Sequence, residues 1–323
     1  MEDVKGIWFK KNGRILKNSR RNPIGNLDEL PFPAWDLLPM DKYLKNWYQL
    51  DSVDTNLVGT SIIASRGCPY VCTYCQPTLR TIFGTKIRKR SSDNILQELT
   101  RLREKYNINA FMFQDDTFII DEKWVRDICA NIINAGLDLK WGCNVRANLV
   151  TKSLLTKMKS AGLRKIFVGI ESASQRILDD IYNKKITLEQ VKKTVIIAKN
   201  LNLKVQGYFM LGAPTESVAE IKKTIKFAKN LDIDEATFSI TTPLPNTDLY
   251  KKFNELITKD FDEFDYYRNP VLNLNDLSPK KLSFLKKKGY LEFYLSPKRI
   301  TSTLKMLFTL SGFQKSMNKL KRL

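Results

Sequence analysis

Ser61-Ile62-Ile63-Ala64-Ser65-Arg66-Gly67-Cys68-Pro69-Tyr70-Val71-Cys72-Thr73-Tyr74-Cys75 is the stretch that organises the chain. Its first five residues are small or β-branched, the composition of a short buried strand. Three cysteines follow directly, spaced C-x3-C-x2-C. Structural zinc sites take four ligands, commonly as paired C-x2-C units. No second pair is present here, and the chain contains no histidine. Ferredoxin clusters take four thiolates. Three thiolates on one loop suit a four-iron four-sulfur cluster with one iron left open for another ligand. Cys129, beside Ile128 and Ile132 in a helical pattern, and Cys143, within a strand pattern, are expected to be buried free thiols.

The lack of histidine excludes Ser-His and Cys-His nucleophile systems and removes the usual general base near neutral pH. Hard chemistry is left to Cys, Asp, Glu, Lys, Tyr or a cofactor. Five cysteines in 323 residues are too few, and odd in number, for a disulfide scaffold. No apolar run reaches the ~18 residues of a membrane span. The opening residues MEDVKGIWFKK carry no apolar signal core, so a reducing cytoplasm is the expected compartment.

Moving outward from the cysteines, strand and helix patterns alternate six times. The expected strands are Ser61–Ser65, Ala110–Gln114, Leu139–Val145, Lys165–Ile170, Lys204–Met210 and Ala236–Ile240. Ile95, Leu99, Leu102 and Tyr106 form one helical stripe, and Val218, Ile221, Ile225 and Ala228 another. Thr187 and Gln190 read as a capping box. The fold class is α/β: six βα units give either an open doubly wound sheet or an incomplete barrel, with the reactive residues at the carboxyl ends of the strands.

Residues 1–56 form a leading segment. A hairpin is expected between Gly6 and Leu16 around Asn12-Gly13. The run Leu30-Pro31-Phe32-Pro33-Ala34-Trp35-Asp36-Leu37-Leu38-Pro39 cannot be a regular helix and reads as an extended, docked strap. Residues 251–323 form a basic, mainly helical extension. The net charge is +20, and residues 280–323 hold twelve basic side chains against one acid, Glu292. A stripe of Ile300, Leu304, Leu307 and Phe308 among lysines reads first as a packing helix and second as a membrane-surface helix. Nucleic acid is the less favoured partner, because no recognition motif accompanies the charge.

C-x3-C-x2-C with an aromatic before the last cysteine resembles the signature of the radical S-adenosylmethionine (SAM) superfamily. That resemblance implies a partial (β/α)6 TIM-like barrel over residues 57–250. It implies that Cys68, Cys72 and Cys75 bind three irons of a 4Fe-4S cluster and that SAM binds the fourth. Reductive cleavage of SAM would then yield a 5′-deoxyadenosyl radical, with the electron delivered by a flavodoxin- or ferredoxin-type protein.

Further residues follow from the same resemblance. Tyr74 would pack near the adenine. Asp115 or Asp116, at the end of the second strand, would receive the methionyl amine in place of the usual Gly-Gly-Glu; a helix N-cap at an Asp or at Thr117 is the other reading. Glu171 and Ser172 lie in a Gly-Ile-Glu-Ser stretch similar to one that contacts the ribose or methionyl moiety. Arg146 and Lys184 would face the cofactor carboxylate. Gly207 opens a stretch similar to the adenine side, with Thr215 expected to cap the following helix.

The strap and the turn Thr242-Pro243-Leu244-Pro245-Asn246-Thr247 resemble the cobalamin-associated branch, which includes methyltransferases and anaerobic ring-forming enzymes. That branch implies cobalamin, through an upstream domain expected to be missing from this chain or carried by a separate one. The expected substrate is a small molecule or lipid. An RNA-modifying enzyme, or an iron–sulfur protein that binds or relays electrons without catalysis, are the alternatives.

Overall fold

The alternating patterns fold into one parallel sheet backed by helices. In the computed structural model, which describes residues 1–76, 79–274 and 277–301, the chain opens with the hairpin β1 (Trp8–Lys11) and β2 (Arg14–Lys17). There follow α1 (Met40–Lys45), β3 (Gly59–Ile62), β4 (Ser65–Arg66), β5 (Arg88–Lys89) and α2 (Ser92–Tyr106). The repeat continues as β6 (Ala110–Phe113), α3 (Glu122–Asn134), β7 (Lys140–Val145), α4 (Lys152–Ser160) and β8 (Leu163–Glu171). It ends with α5 (Leu188–Asn200), β9 (Lys204–Leu211), α6 (Val218–Asn230), β10 (Glu235–Ile240), α7 (Asp248–Phe253) and α8 (Pro279–Tyr294).

The sheet order is β3-β6-β7-β8-β9-β10, and every neighbouring pair is parallel. Each strand lies beside the next in sequence, with none of the order reversal that defines a doubly wound sheet. Of the two expected architectures, the incomplete barrel is therefore the one adopted. Strand residues alternate between its faces. Ile62, Phe111, Phe113, Val168, Phe209 and Phe238 join the helices in the main core. Ala110, Met112 and Phe167 face the other way and pack with Trp47, Leu50 and Leu57 from the segment before β3. A Cβ on Gly59 would lie 2.5 Å from the Trp47 ring, so glycine there lets the indole lie against the strand. Residues 47–57 thus fill the inside of the half-barrel, where Lys165 also pairs with Glu235 and donates to the Gln49 carbonyl at 3.0 Å.

The hairpin turns at Asn12 and Gly13, both at positive φ, as expected of a type I′ turn. The proline-rich strap is held by its aromatics. Phe32 lies against the guanidinium groups of Arg90 and Arg101, and Trp35 Nε1 donates to Glu98 at 3.1 Å. The strap is not uniformly extended: short 3-10 turns occupy Leu27–Glu29 and Trp35–Leu37.

The capping box of α5 forms as expected between Thr187 and Gln190. Two other caps differ. The cap of α3 is Asp121, which accepts from Trp124 N at 3.0 Å, not Asp115, Asp116 or Thr117, because a 3-10 turn at Phe118–Ile120 delays the helix. The cap of α6 is Ser217, in a box with Glu220, while Thr215 sits at φ +65 in the preceding turn.

After β10 the alternation stops, as expected, and α8 packs against the open edge of the sheet. Tyr290 Oη accepts from Phe238 N and donates to Phe238 O; Tyr294 Oη does the same for Ala236. The expected stripe from Ile300 through Phe308 lies, beyond Ile300, outside the described residues. Among the described residues no helix is long and apolar enough to cross a membrane.

Candidate active site

The cysteine loop begins where β3 leaves the sheet. The first strand was expected to reach Ser65 but stops at Ile62. The Asp115 carboxylate, on the neighbouring strand end, accepts from Ala64 N at 3.1 Å and from the Ser65 hydroxyl, drawing the chain away from the ladder. Ser65 and Arg66 then pair antiparallel with Lys89 and Arg88. This two-stranded neck closes the loop at its base. Gly67 makes the first turn at φ +96, where a Cβ would lie 2.5 Å from the Lys86 carbonyl. The far side of the loop is held by backbone bonds, from Thr73 N to Tyr182 O at 3.0 Å and from Leu249 N to Thr73 O at 2.9 Å. Asn183 adds a side-chain bond to the Val71 carbonyl.

Cys68, Cys72 and Cys75 are half-buried free thiols on this loop, whereas Cys129 and Cys143 are buried in the core as expected. Burial, followed by the neighbouring Cys72 and Cys68, pushes the Cys75 thiol up to about 12. Cys75 thus feels both neighbouring sulfurs, and a metal bound there must displace its proton. Among the described residues no three His, Cys, Asp or Glu side chains gather tightly enough for a single ion. A four-iron cluster takes at most one thiolate per iron, and a loop offering three thiols fits three of the four, leaving one iron for another ligand.

Arg146, just after β7, completes the surroundings of Cys72. It is 7% exposed, its Nη1 lies 3.6 Å from Cys72 Sγ, and its guanidinium stacks 3.7 Å from the Tyr70 ring centroid. Its Nε is buried and finds no hydrogen-bond partner among the described residues. A buried cation with one donor still unmet, beside the thiols, fits an anionic group at this place.

Behind the loop, Tyr74, Glu171 and Lys184 form a closed triangle. Lys184 Nζ lies 2.9 Å from Glu171 Oε1 and 3.0 Å from Tyr74 Oη, and Tyr74 Oη lies 3.1 Å from Glu171 Oε1. Burial and then the Glu171 carboxylate push the Tyr74 hydroxyl well above its ordinary range. Glu171 ends β8 at φ +67, just past a register shift that begins at Gly169. A Cβ on Gly169 would lie 2.6 Å from Glu171 Oε1, so the cradle for the carboxylate depends on that glycine.

Several expected site residues are not gathered here. Asp115 is buried and committed to Ala64 and Ser65, its carboxyl pushed by burial up to about 6, while Asp116 is the more exposed of the two and lies near enough to Arg66 and Cys75 to act on their charge. Ser172 points toward the helical layer, where its hydroxyl meets Thr224 of α6 at 3.3 Å and accepts from Ser174 N. Gly207 sits in the middle of β9, and a Cβ there would meet Ile233, Phe209 and Ile170, all core side chains. Lys184 turns to Glu171 and Tyr74 in the triangle described above. One group carried no assigned role in the sequence. Glu216 Oε2 accepts from Gly212 N at 2.7 Å and Ala213 N at 3.0 Å, binding the turn after β9. Its Oε1 is buried with no partner among the described residues, and burial pushes its carboxyl up to about 7. An acid so soon after a buried strand was the available signal.

Six parallel strands, a three-cysteine loop at the carboxyl end of the first and charged groups at the ends of β7 and β8 define an iron–sulfur half-barrel. Residues 62–228 match the model of the radical SAM superfamily, and the chain belongs to that superfamily. It is 38% identical over 316 residues to an uncharacterized methyltransferase of Pyrococcus horikoshii, covering 97% of this chain and 65% of the relative. It is 25% identical to the anaerobic magnesium-protoporphyrin IX monomethyl ester cyclase of Rubrivivax gelatinosus, covering 91% of this chain and 51% of the relative. The cobalamin-dependent SAM radical enzyme OxsB, solved with aqua-cobalamin and SAM bound, superposes with a TM-score of 0.71 at 18% identity, covering 100% of this chain and 52% of that one. The likeness to OxsB is one of fold. The chain spans between half and two-thirds of the length of these relatives.

Proposed function

We propose that this chain is the radical-generating half-barrel of an enzyme that carries out methyl transfer or ring formation on a small molecule or lipid. A 4Fe-4S cluster held by Cys68, Cys72 and Cys75 would, with SAM bound and one electron from an external reductant, supply radical chemistry through cleavage of SAM to methionine and a 5′-deoxyadenosyl radical. The three cysteines would hold three of its irons. Arg146 neutralises charge beside Cys72, and its unmet Nε is the donor best placed for an anionic cofactor group. Asp116, exposed beside Arg66 at the mouth, is the carboxylate open to the methionyl amine; Asp115 positions the loop instead. Tyr74, fixed by Glu171 and Lys184, sets the wall behind Cys75.

The observation that carries this reading is the loop itself: three thiols on one turn, closed at its neck by β4 and β5 and pinned at its far side. The cobalamin reading rests on the relatives, and cobalamin would come from a partner domain or a separate chain. A flavodoxin- or ferredoxin-type protein would deliver the electron to the cytoplasmic enzyme.

Anaerobic reconstitution tests the proposal. The chain should take up four irons and four sulfides in the radical SAM manner. Each single Cys→Ala change at 68, 72 or 75 should abolish the chromophore, and SAM should alter the paramagnetic resonance of the reduced cluster. With dithionite, 5′-deoxyadenosine and methionine should form. A lone zinc, or an iron chromophore untouched by any of the three changes, would overturn the assignment. A cluster whose spectrum ignores SAM would favour the electron-relay alternative.

A further inference from the structure

One face of α8 serves no purpose in the half-barrel. Leu282, Leu285, Gly289 and Phe293 turn inward, where Gly289 lies against Ile225 and Tyr290 meets the β10 edge. On the opposite side Phe284, Leu291 and Leu295 are 64%, 59% and 57% exposed. Their spacing of seven and then four residues returns within about 20° of one line at 3.6 residues per turn. They form one outward apolar stripe, and lysines border it on both sides, Lys280 and Lys287 on one and Lys281 and Lys288 on the other. Glu292, the one acid of residues 280–323, is held 3.6 Å from Lys288. A shallow groove beside the stripe, lined by Arg268, Lys280 and Lys287 with Phe284 at its wall, extends the positive surface.

A solvated helix face gains nothing from three large apolar side chains in register. An apolar line bordered by lysines is the pattern of a helix lying in a bilayer interface, with the rings and branched chains among the acyl carbons and the ammonium groups reaching the phosphates. We infer that α8 is a docking face for an anionic lipid surface, lying flat along the bilayer while its other side stays packed on α6 and β10. Charge selects this occupant: the exposed Lys280, Lys281, Lys287 and Lys288 border the stripe, against the one acid Glu292, and complement a negative leaflet. The apolar line selects lipid over nucleic acid, since phosphate contacts alone call for charge and not for Phe284, Leu291 and Leu295. This inference stands apart from the proposed radical chemistry and requires neither iron nor SAM.

Vesicle flotation of the whole chain tests it. Vesicles of phosphatidylcholine containing about a third phosphatidylserine should carry the protein upward, those of phosphatidylcholine alone should not, and salt should weaken the binding. The variant F284S/L291S/L295S alters outward-facing positions only and should keep the wild-type melting transition and sedimentation coefficient. Its binding should weaken about tenfold or more. Replacing Lys280, Lys287 and Lys288 by Gln should weaken binding and flatten its salt dependence. Unchanged flotation of the serine variant would overturn the inference. So would tighter binding to an RNA hairpin than to the anionic vesicles, or a serine variant whose chief change is loss of self-association.

Discussion

Tyr74 and Glu171, 97 positions apart in the chain, share a hydrogen bond of 3.1 Å. Through it the residue next to the last cysteine is tied to the end of the fourth barrel strand. Lys184 closes the triangle from the following loop, so three segments that meet nowhere else in sequence are held by one buried carboxylate oxygen.

Replacing Glu171 by Gln keeps the shape but leaves the Lys184 ammonium, 7% exposed, without its counter-charge. Breaking a buried pair in this way is expected to lower stability by about 3–5 kcal/mol. The double variant E171Q/K184M should recover much of that loss, because no unpaired charge remains. Urea denaturation of the single and double variants measures this, and simple additivity would refute the coupling.

Gly169→Ala places a methyl group 2.6 Å from Glu171 Oε1 and 2.9 Å from Lys184 Nζ. The carboxylate must move, and Tyr74 with it. Overpacking of this kind should cost about 1–3 kcal/mol. Iron retention after reconstitution should fall with it. Wild-type iron content and stability in the variant would mean that the triangle shifts freely.

Arg146→Met removes a positive charge and a donor from beside Cys72. Such groups stabilise the more negative, reduced form of an iron–sulfur cluster, so the midpoint potential should fall by roughly tens of millivolts. Iron stoichiometry should be unchanged. Arg146→Lys, which keeps the charge, should recover part of the potential. A potentiometric titration followed by paramagnetic resonance decides the matter.

Glu216 gives a pH dependence of defined sign. Its carboxyl is raised from an ordinary 4.5 to about 7 by burial, so between those values the folded state holds a proton that the unfolded state has released. Stability must therefore fall as pH rises from about 4.5 to about 7, by on the order of 3 kcal/mol at 1.36 kcal/mol per unit. Glu216→Gln should lack this component. The difference between wild type and variant in urea midpoint across that range is the measurement; parallel profiles would remove Glu216 as its source.

The cysteine spacing, the six strands, the hairpin turn and the α5 cap were all legible because each depends on residues close in sequence. Which residues at the strand ends turn toward the cysteine loop was harder to read. Asp115 and Asp116 lie past the end of β6 and Glu171 sits at φ +67, so which neighbour turns inward there is set by contacts far along the chain, such as Asp115 with Ala64 and Ser65 and Ser172 with Thr224. Gly207 shares a face with Val205 and Phe209, a sign that it lies in the core layer. The interior packing of Trp47, Leu50 and Leu57 could not be read at all, since its partners, Met112 and Phe167, are far away along the chain. Nor does periodicity tell whether α8 meets water or another surface on its outer side.

The tyrosine pair on α8 has a mechanical consequence. A bare outermost strand invites extension by any passing segment of extended chain. Here each phenol answers both the amide and the carbonyl of one β10 residue, so lifting the helix would strand four polar groups at once. The half-barrel and α8 consequently travel as a single body, and whatever holds that helix also fixes which way the cysteine loop faces.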